Sequence, residues 1–177
     1  MERVISSCGG GRGSTACPDG QHGGPSACVC GRGKKNSAQA HALGHSRGGF
    51  STKIHALTDA LGGPLRFILT GGQESDSGQA ANLLAGLHAG ALLADKGYDA
   101  DALLNTLREN QMDAVIPPKA NRTVRRPYDQ HLYKERHLIE CFFGKMKHYR
   151  RVFSRYEKLA MNYLSMLSFV GTLIWLR

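Results

Sequence analysis

Four consecutive apolar residues, Ala91-Leu92-Leu93-Ala94, run straight into Asp95. The run is short for a helix and lacks the alternation of a half-exposed strand. It reads as a strand covered on both faces. Such a strand needs helices above and below it, which points the chain to an α/β architecture. The acid at its end falls on the carboxyl edge, where open α/β sheets place ligands.

The neighbouring segments agree with that architecture. Phe50 to Thr58 is rich in β-branched residues and suits a strand, with Phe50, Thr52, Ile54, Ala56 and Thr58 on one face. Leu65 to Thr70 suits a second strand, and Gly62-Gly63-Pro64 between them predicts a hairpin. Asp76 or Ser77 is expected to cap a helix running to about His88, and Asp99 to cap another through Leu107. Ala114-Val115-Ile116 reads as a second short buried strand, stopped by Pro117-Pro118. A basic loop from Lys119 to Asp129 leads into a helix from about His131 to Tyr149, and a last helix covers about Leu159 to Leu176. The order predicts a mixed sheet, an antiparallel hairpin followed by parallel strands on crossover connections, flanked by helices. Asn162, Ser165, Ser168 and Thr172 interrupt the last helix, so it reads as a core helix rather than a membrane span.

Residues 1–43 are different in kind. Nine of the 22 glycines and four of the five cysteines lie in residues 1–33. That segment has no sustained period and reads as disordered. Cys8, Cys17, His22, Cys28 and Cys30 match no paired zinc-ligand spacing, because one residue alone separates Cys28 from Cys30. No apolar segment follows Met1-Glu2-Arg3, so no secretory signal is expected. The chain therefore divides into an unpatterned segment, 1–43, and a folded domain, 44–177.

Net charge is +9, and twelve of the 23 Lys and Arg residues lie between Lys119 and Lys158. So concentrated a positive segment favours a polyanionic partner, with nucleic acid the commonest. Within it, Tyr133, Arg136, Glu140 and Lys147 fall in an arc of roughly 60° on a helix. Leu138, Ile139, Phe142, Phe143 and Met146 form the adjacent apolar stripe. An ordinary amphipathic helix with a salt-bridged polar face would show the same stripes. A carboxylate flanked by Arg and Lys also suits a site that holds a cation and phosphate together.

The spacing Y-(2)-R-(3)-E-(6)-K resembles the signature helix of bacterial insertion-sequence DDE transposases. Gly44-His45-Ser46-Arg47-Gly48-Gly49-Phe50-Ser51-Thr52-Lys53-Ile54-His55, Ala94-Asp95-Lys96-Gly97-Tyr98-Asp99 and the closing Ile174-Trp175-Leu176-Arg177 are similar to the insertion-sequence family numbered five. The resemblance runs from about residue 34 to 177. It implies a ribonuclease H-like fold and metal-dependent DNA cleavage and strand transfer. It also implies two Mg²⁺ or Mn²⁺ ions, about 3.5–4 Å apart in sites of this class. Asp95 and Glu140 would be the metal-binding catalytic carboxylates. Tyr133, Arg136, Lys147, Arg47, Lys96, Lys119, Arg122, Arg125 and Arg126 would face DNA. The expected partners are the ends of the element and its target DNA, with two copies paired on DNA, in the bacterial cytoplasm at the nucleoid. No membrane and no small-molecule substrate are expected. Readings of other classes are a non-catalytic DNA-binding remnant and a ribonuclease H-like nuclease.

One part of the pattern is lacking. The family's first Asp belongs to an Asp-Ser or Asp-Thr pair upstream of Gly44, and no such pair occurs there. The strand that should carry it, between the hairpin and the Asp95 strand, is expected to be missing, as if residues 1–33 were read from a shifted frame. Asp59 is a substitute in principle, but its place beside Gly62-Gly63-Pro64 predicts a turn role. Gly44 to Lys53 lacks the Gly-Lys-Ser/Thr end of a P-loop. His41, His45 and His55 have no evident orienting carboxylate for a metal site.

Overall fold

The computed structural model describes residues 3–9, 41–46, 49–123 and 126–176. Among the described residues, six strands form one mixed sheet: β1 Arg3–Gly9, β2 Gly44–Ser46, β3 Gly49–Asp59, β4 Pro64–Gly71, β5 Ala91–Leu93 and β6 Asp113–Val115. Across the sheet the order is β4, β3, β1, β5, β6, with β2 paired to the start of β3. The helices are α1 Asp76–Leu84, α2 Asp101–Glu109, α3 Gln130–Tyr133, α4 His137–Lys147, α5 Arg150–Phe153 and α6 Ala160–Trp175.

The hairpin forms as expected. β3 and β4 pair antiparallel from Thr52 opposite Gly71 to Thr58 opposite Pro64. Asp59 and Gly63 close the turn, and Gly62 takes φ +82° there, a conformation that a side chain resists. The later strands are parallel, with Ala91 opposite Asp113 and Leu93 opposite Val115. The two crossover helices, α1 and α2, lie on one face with Leu57, Leu83, Leu92, Ala94, Leu104, Leu107 and Ile116. On the other face α4 and α6 bring Ile139, Phe142, Met146, Tyr163, Leu167 and Val170 against Ile54, Ala56, Leu93 and Val115. Leu92 faces one layer and Leu93 the other, which is the two-sided burial that the run Ala91–Ala94 announced.

The expected gap in the sheet is filled, which corrects the reading of a missing strand. β1 pairs antiparallel with β3, Val4 opposite Asp59 through Gly9 opposite Ile54, and parallel with β5, Arg3 opposite Ala91 through Ile5 opposite Leu93. The sheet thus draws a central strand from the segment assigned to disorder. Val4-Ile5 is too short an apolar run to show a period, and the strand's pairing partners are distant in sequence. It carries no Asp. Residues 10–40, which hold the rest of that segment, lie outside the described residues.

Two caps also differ from expectation. Ser75, not Asp76, stands at the N-cap position of α1, and Asp76 instead pairs with Lys53 at 3.0 Å. The carbonyls at the other end of α1 receive Arg66, whose Nη1 donates to Asn82 O, Leu83 O and Ala85 O at 3.1, 2.9 and 2.8 Å. The predicted helix at Asp99 begins later, at Asp101, with Ala100 in the cap position.

Candidate active site

The helix bearing the signature residues starts at a true cap. Asp129 Oδ1 accepts from the N–H groups of His131 and Leu132 at 2.8 and 2.9 Å. α3, a 3₁₀ turn at Lys134–Arg136 and α4 then follow without a break, so the expected single helix tightens in its middle. Burial of Ile139, Phe142, Phe143 and Met146 fixes its rotation. The adjacent polar arc is thereby aimed at the end of β5.

Asp95 follows the β5 strand and opens a 3₁₀ turn at Lys96–Tyr98. The Tyr133 hydroxyl donates to Asp95 Oδ1 at 3.0 Å, and Arg136 Nε lies 3.5 Å from the same oxygen. Arg136 Nη2 donates to Glu140 Oε1 at 2.7 Å. One guanidinium therefore bridges the two carboxylates, and it also lies over the Tyr133 ring at 5.7 Å. The Asp95 and Glu140 side chains remain 51% and 60% exposed, so both stay open to a ligand from solvent. Burial and the bond to Asp95 raise the Tyr133 phenol above its ordinary value, keeping it a donor. Burial opposes the charge on Arg136, but the Glu140 hydrogen bond and the Asp95 charge outweigh it and raise the guanidinium.

The other predicted residues are dispersed. Lys96 is exposed beside Asp95. Lys147 lies over the Phe153 ring at 5.8 Å, further along the same helix face. Arg47 and Arg125 lie outside the described residues. Arg122 and Arg126 do not stand free on the loop: both bind Asp99, through Arg122 Nε at 2.9 Å and Arg126 Nη2 at 2.7 Å. The Lys119 backbone N–H adds a third bond to Asp99 at 2.9 Å.

Asp99 does not cap the expected helix; it is a fully buried carboxylate that anchors the basic loop. Burial alone would raise its carboxyl. The Lys119 N–H, the Arg122 guanidinium and the Arg126 charge more than offset that and hold it below its ordinary value of 3.8. The signal was hidden because its partners lie on the far side of α2 and β6.

Asp59 has the turn role expected of it, accepting from Leu61 N and Gly63 N at 2.9 and 2.7 Å. It stands opposite Val4, which is level with Leu92. That puts it about 10 Å short of Asp95 along the strands, taking about 3.3 Å per residue. The histidines also have local partners. His41 Nδ1 meets Lys158 O at 3.3 Å, His45 packs edge-on against Phe50, and buried His55 Nε2 meets Thr70 Oγ1 at 2.7 Å. Among the described residues, no three His, Cys, Asp or Glu side chains come together as a metal cluster, and no helix is long and apolar enough to cross a membrane.

Comparison with known proteins falls on the same region. The family described as "Transposase DDE domain" matches residues 22–174, beginning upstream of the point where the motif-by-motif resemblance starts. A Brucella ovis protein named as a transposase for insertion sequence element IS6501 is 43% identical over 129 residues, 72% of this chain and 99% of the relative. A Burkholderia cepacia protein named as a transposase for insertion sequence element IS402 is 31% identical over 121 residues, 62% of this chain and 55% of the relative. The chain thus aligns with about half the length of the second relative. No solved structure matches the chain.

Proposed function

Since the chain belongs to the DDE transposase family of bacterial insertion sequences, we propose that its site acts on DNA phosphodiesters at the open edge formed by Asp95 and Glu140. The observation that carries this reading is the Arg136 bridge between two half-exposed carboxylates from distant parts of the chain. The donor set fits a hard divalent ion. Two carboxylates with open solvent sides match the way Mg²⁺ binds, through few protein oxygens with water and substrate phosphate completing the shell. Asp95 and Glu140 would hold Mg²⁺ or Mn²⁺, which when bound stabilises negative charge on the phosphate and its attacking and leaving oxygens. Tyr133 orients Asp95 through its hydroxyl. Arg136 would offer a cationic contact for phosphate. Lys96, Lys119 and Lys147, with Arg47 and Arg125, supply further phosphate contacts. The ends of the element and the target are the DNA substrates, two copies pair on DNA, and the protein works at the nucleoid in the cytoplasm.

A second reading rests on a specific observation: β1 offers no Asp, and Asp59 sits at a turn away from Asp95. On this reading the copy binds DNA but has lost strand transfer, through a frame change within residues 1–33. Incubation of the full chain with a duplex bearing a 3′-hydroxyl end and Mg²⁺ separates the readings. Joined products lost in Asp95→Asn and Glu140→Gln support the catalytic reading. Binding without any cleavage supports the remnant, hydrolysis without joining supports a nuclease, and absence of binding overturns the DNA reading.

A further inference from the structure

Asp99 carries more bonds than a turn residue needs. Both of its oxygens are used: Oδ2 accepts from Lys119 N and Arg122 Nε, and Oδ1 from Arg126 Nη2. Its side chain has no exposure, while those of Arg122 and Arg126 are each 24% exposed. Arg122 is held by a second acid, with Nη1 on Asp101 Oδ1 at 2.5 Å. Arg126 Nε is buried and has no hydrogen-bond partner among the described residues, although the side chain as a whole keeps 24% exposure. Two acids thus match two arginines, and the loop's positive charge at this point is locally cancelled. Asp99 itself follows the 3₁₀ turn that Asp95 opens, so the anchor and the site edge belong to one short connection.

We propose that Asp99 is a positioning residue that withholds Arg122 and Arg126 from nucleic acid and fastens the basic loop beside the Asp95 edge. The loop then meets phosphate through Lys119 and its remaining cations. This inference rests on the DNA-binding reading above, but the geometry behind it does not.

The prediction opposes simple charge counting. If every arginine of the loop touched phosphate, Arg122→Gln and Arg126→Gln would each flatten the dependence of log Kobs on log salt by about 0.9 on duplex DNA. Because both are spent on Asp99, neither substitution should change that slope. Asp99→Asn should release them and steepen the slope by up to about 1.8, two contacts at about 0.9 each. The triple variant Asp99→Asn/Arg122→Gln/Arg126→Gln should return to the wild-type slope. A role confined to fold stability would not give this pattern.

The experiment is fluorescence-anisotropy titration of a labelled duplex over a salt series, with amide hydrogen exchange on the same full-length proteins. Exchange within 119–129 should quicken in Asp99→Asn while β5 and α4 keep their protection. A slope lowered by about 0.9 in either arginine variant overturns the proposal. If Asp99→Asn fails to fold, the two single arginine variants still decide it. If the wild-type chain binds no duplex, the DNA-binding reading fails by itself, and unchanged loop exchange in Asp99→Asn overturns the anchor.

Discussion

Arg136 joins Asp95 to Glu140, and a few residues away Asp99 holds Arg122 and Arg126. The arc of Tyr133, Arg136 and Glu140 was legible because helical periodicity is local, and the structure keeps these residues together at Asp95. The use of Asp99 was not legible, since an ion pair across a loop leaves no period. Its chemistry gives a pH prediction. The folded carboxyl lies below its ordinary value of 3.8, so folding favours the ionised form. That stabilisation is complete at neutral pH and is lost as the pH falls through the folded value. Arg122 and Arg126 are the charged side chains paired with it, and Asp101 holds Arg122 as well. The difference in urea midpoint between the wild type and Asp99→Asn should therefore be largest near pH 7 and shrink toward pH 3. At the proposed metal edge, Asp95→Asn and Glu140→Gln should each weaken Mn²⁺ binding by about tenfold or more in calorimetry, with secondary structure by circular dichroism unchanged.

Whole elements were easier to read than their ends. Burial patterns fix a helix face, whereas caps depend on which neighbour reaches the terminus first. Arg66 from the edge strand β4 closes α1, a partner that no local rule would find. Replacing Arg66 by Ala should cost about 1 kcal/mol, and exchange should rise first at the C-terminal turn of α1. The signature helix depends on its apolar stripe more than on its cap. Phe142 is 1% exposed and stacks on Phe67 of β4 at 5.8 Å. Phe142→Ala should destabilise the protein by about 3–5 kcal/mol and loosen Arg136 and Glu140 with it. Chemical denaturation of the variant measures the first effect and Mn²⁺ affinity the second.

At the scale of the molecule, the α/β layering was legible from one apolar run, while the identity of the central strand was not. The sheet needed a strand between β3 and β5, and Arg3–Gly9 fills the place without supplying a carboxylate. If residues 1–33 stem from a changed reading frame, the gene upstream of codon 34 should encode a short apolar strand ending in Asp-Ser or Asp-Thr in another forward frame. Sequencing that region decides it, and a lack of such a strand in both frames removes the idea. The same placement of β1 has a consequence for synthesis. A ribosome releases β1 before either of its partners, which begin at Gly49 and Ala91. Until Leu93 has emerged, β1 can pair with β3 but not with β5, and its other edge stays open. Closure then depends on contacts between distant parts of the chain, which form slowly. Products stalled before Ala91 should therefore be the species that chaperones capture or that aggregate.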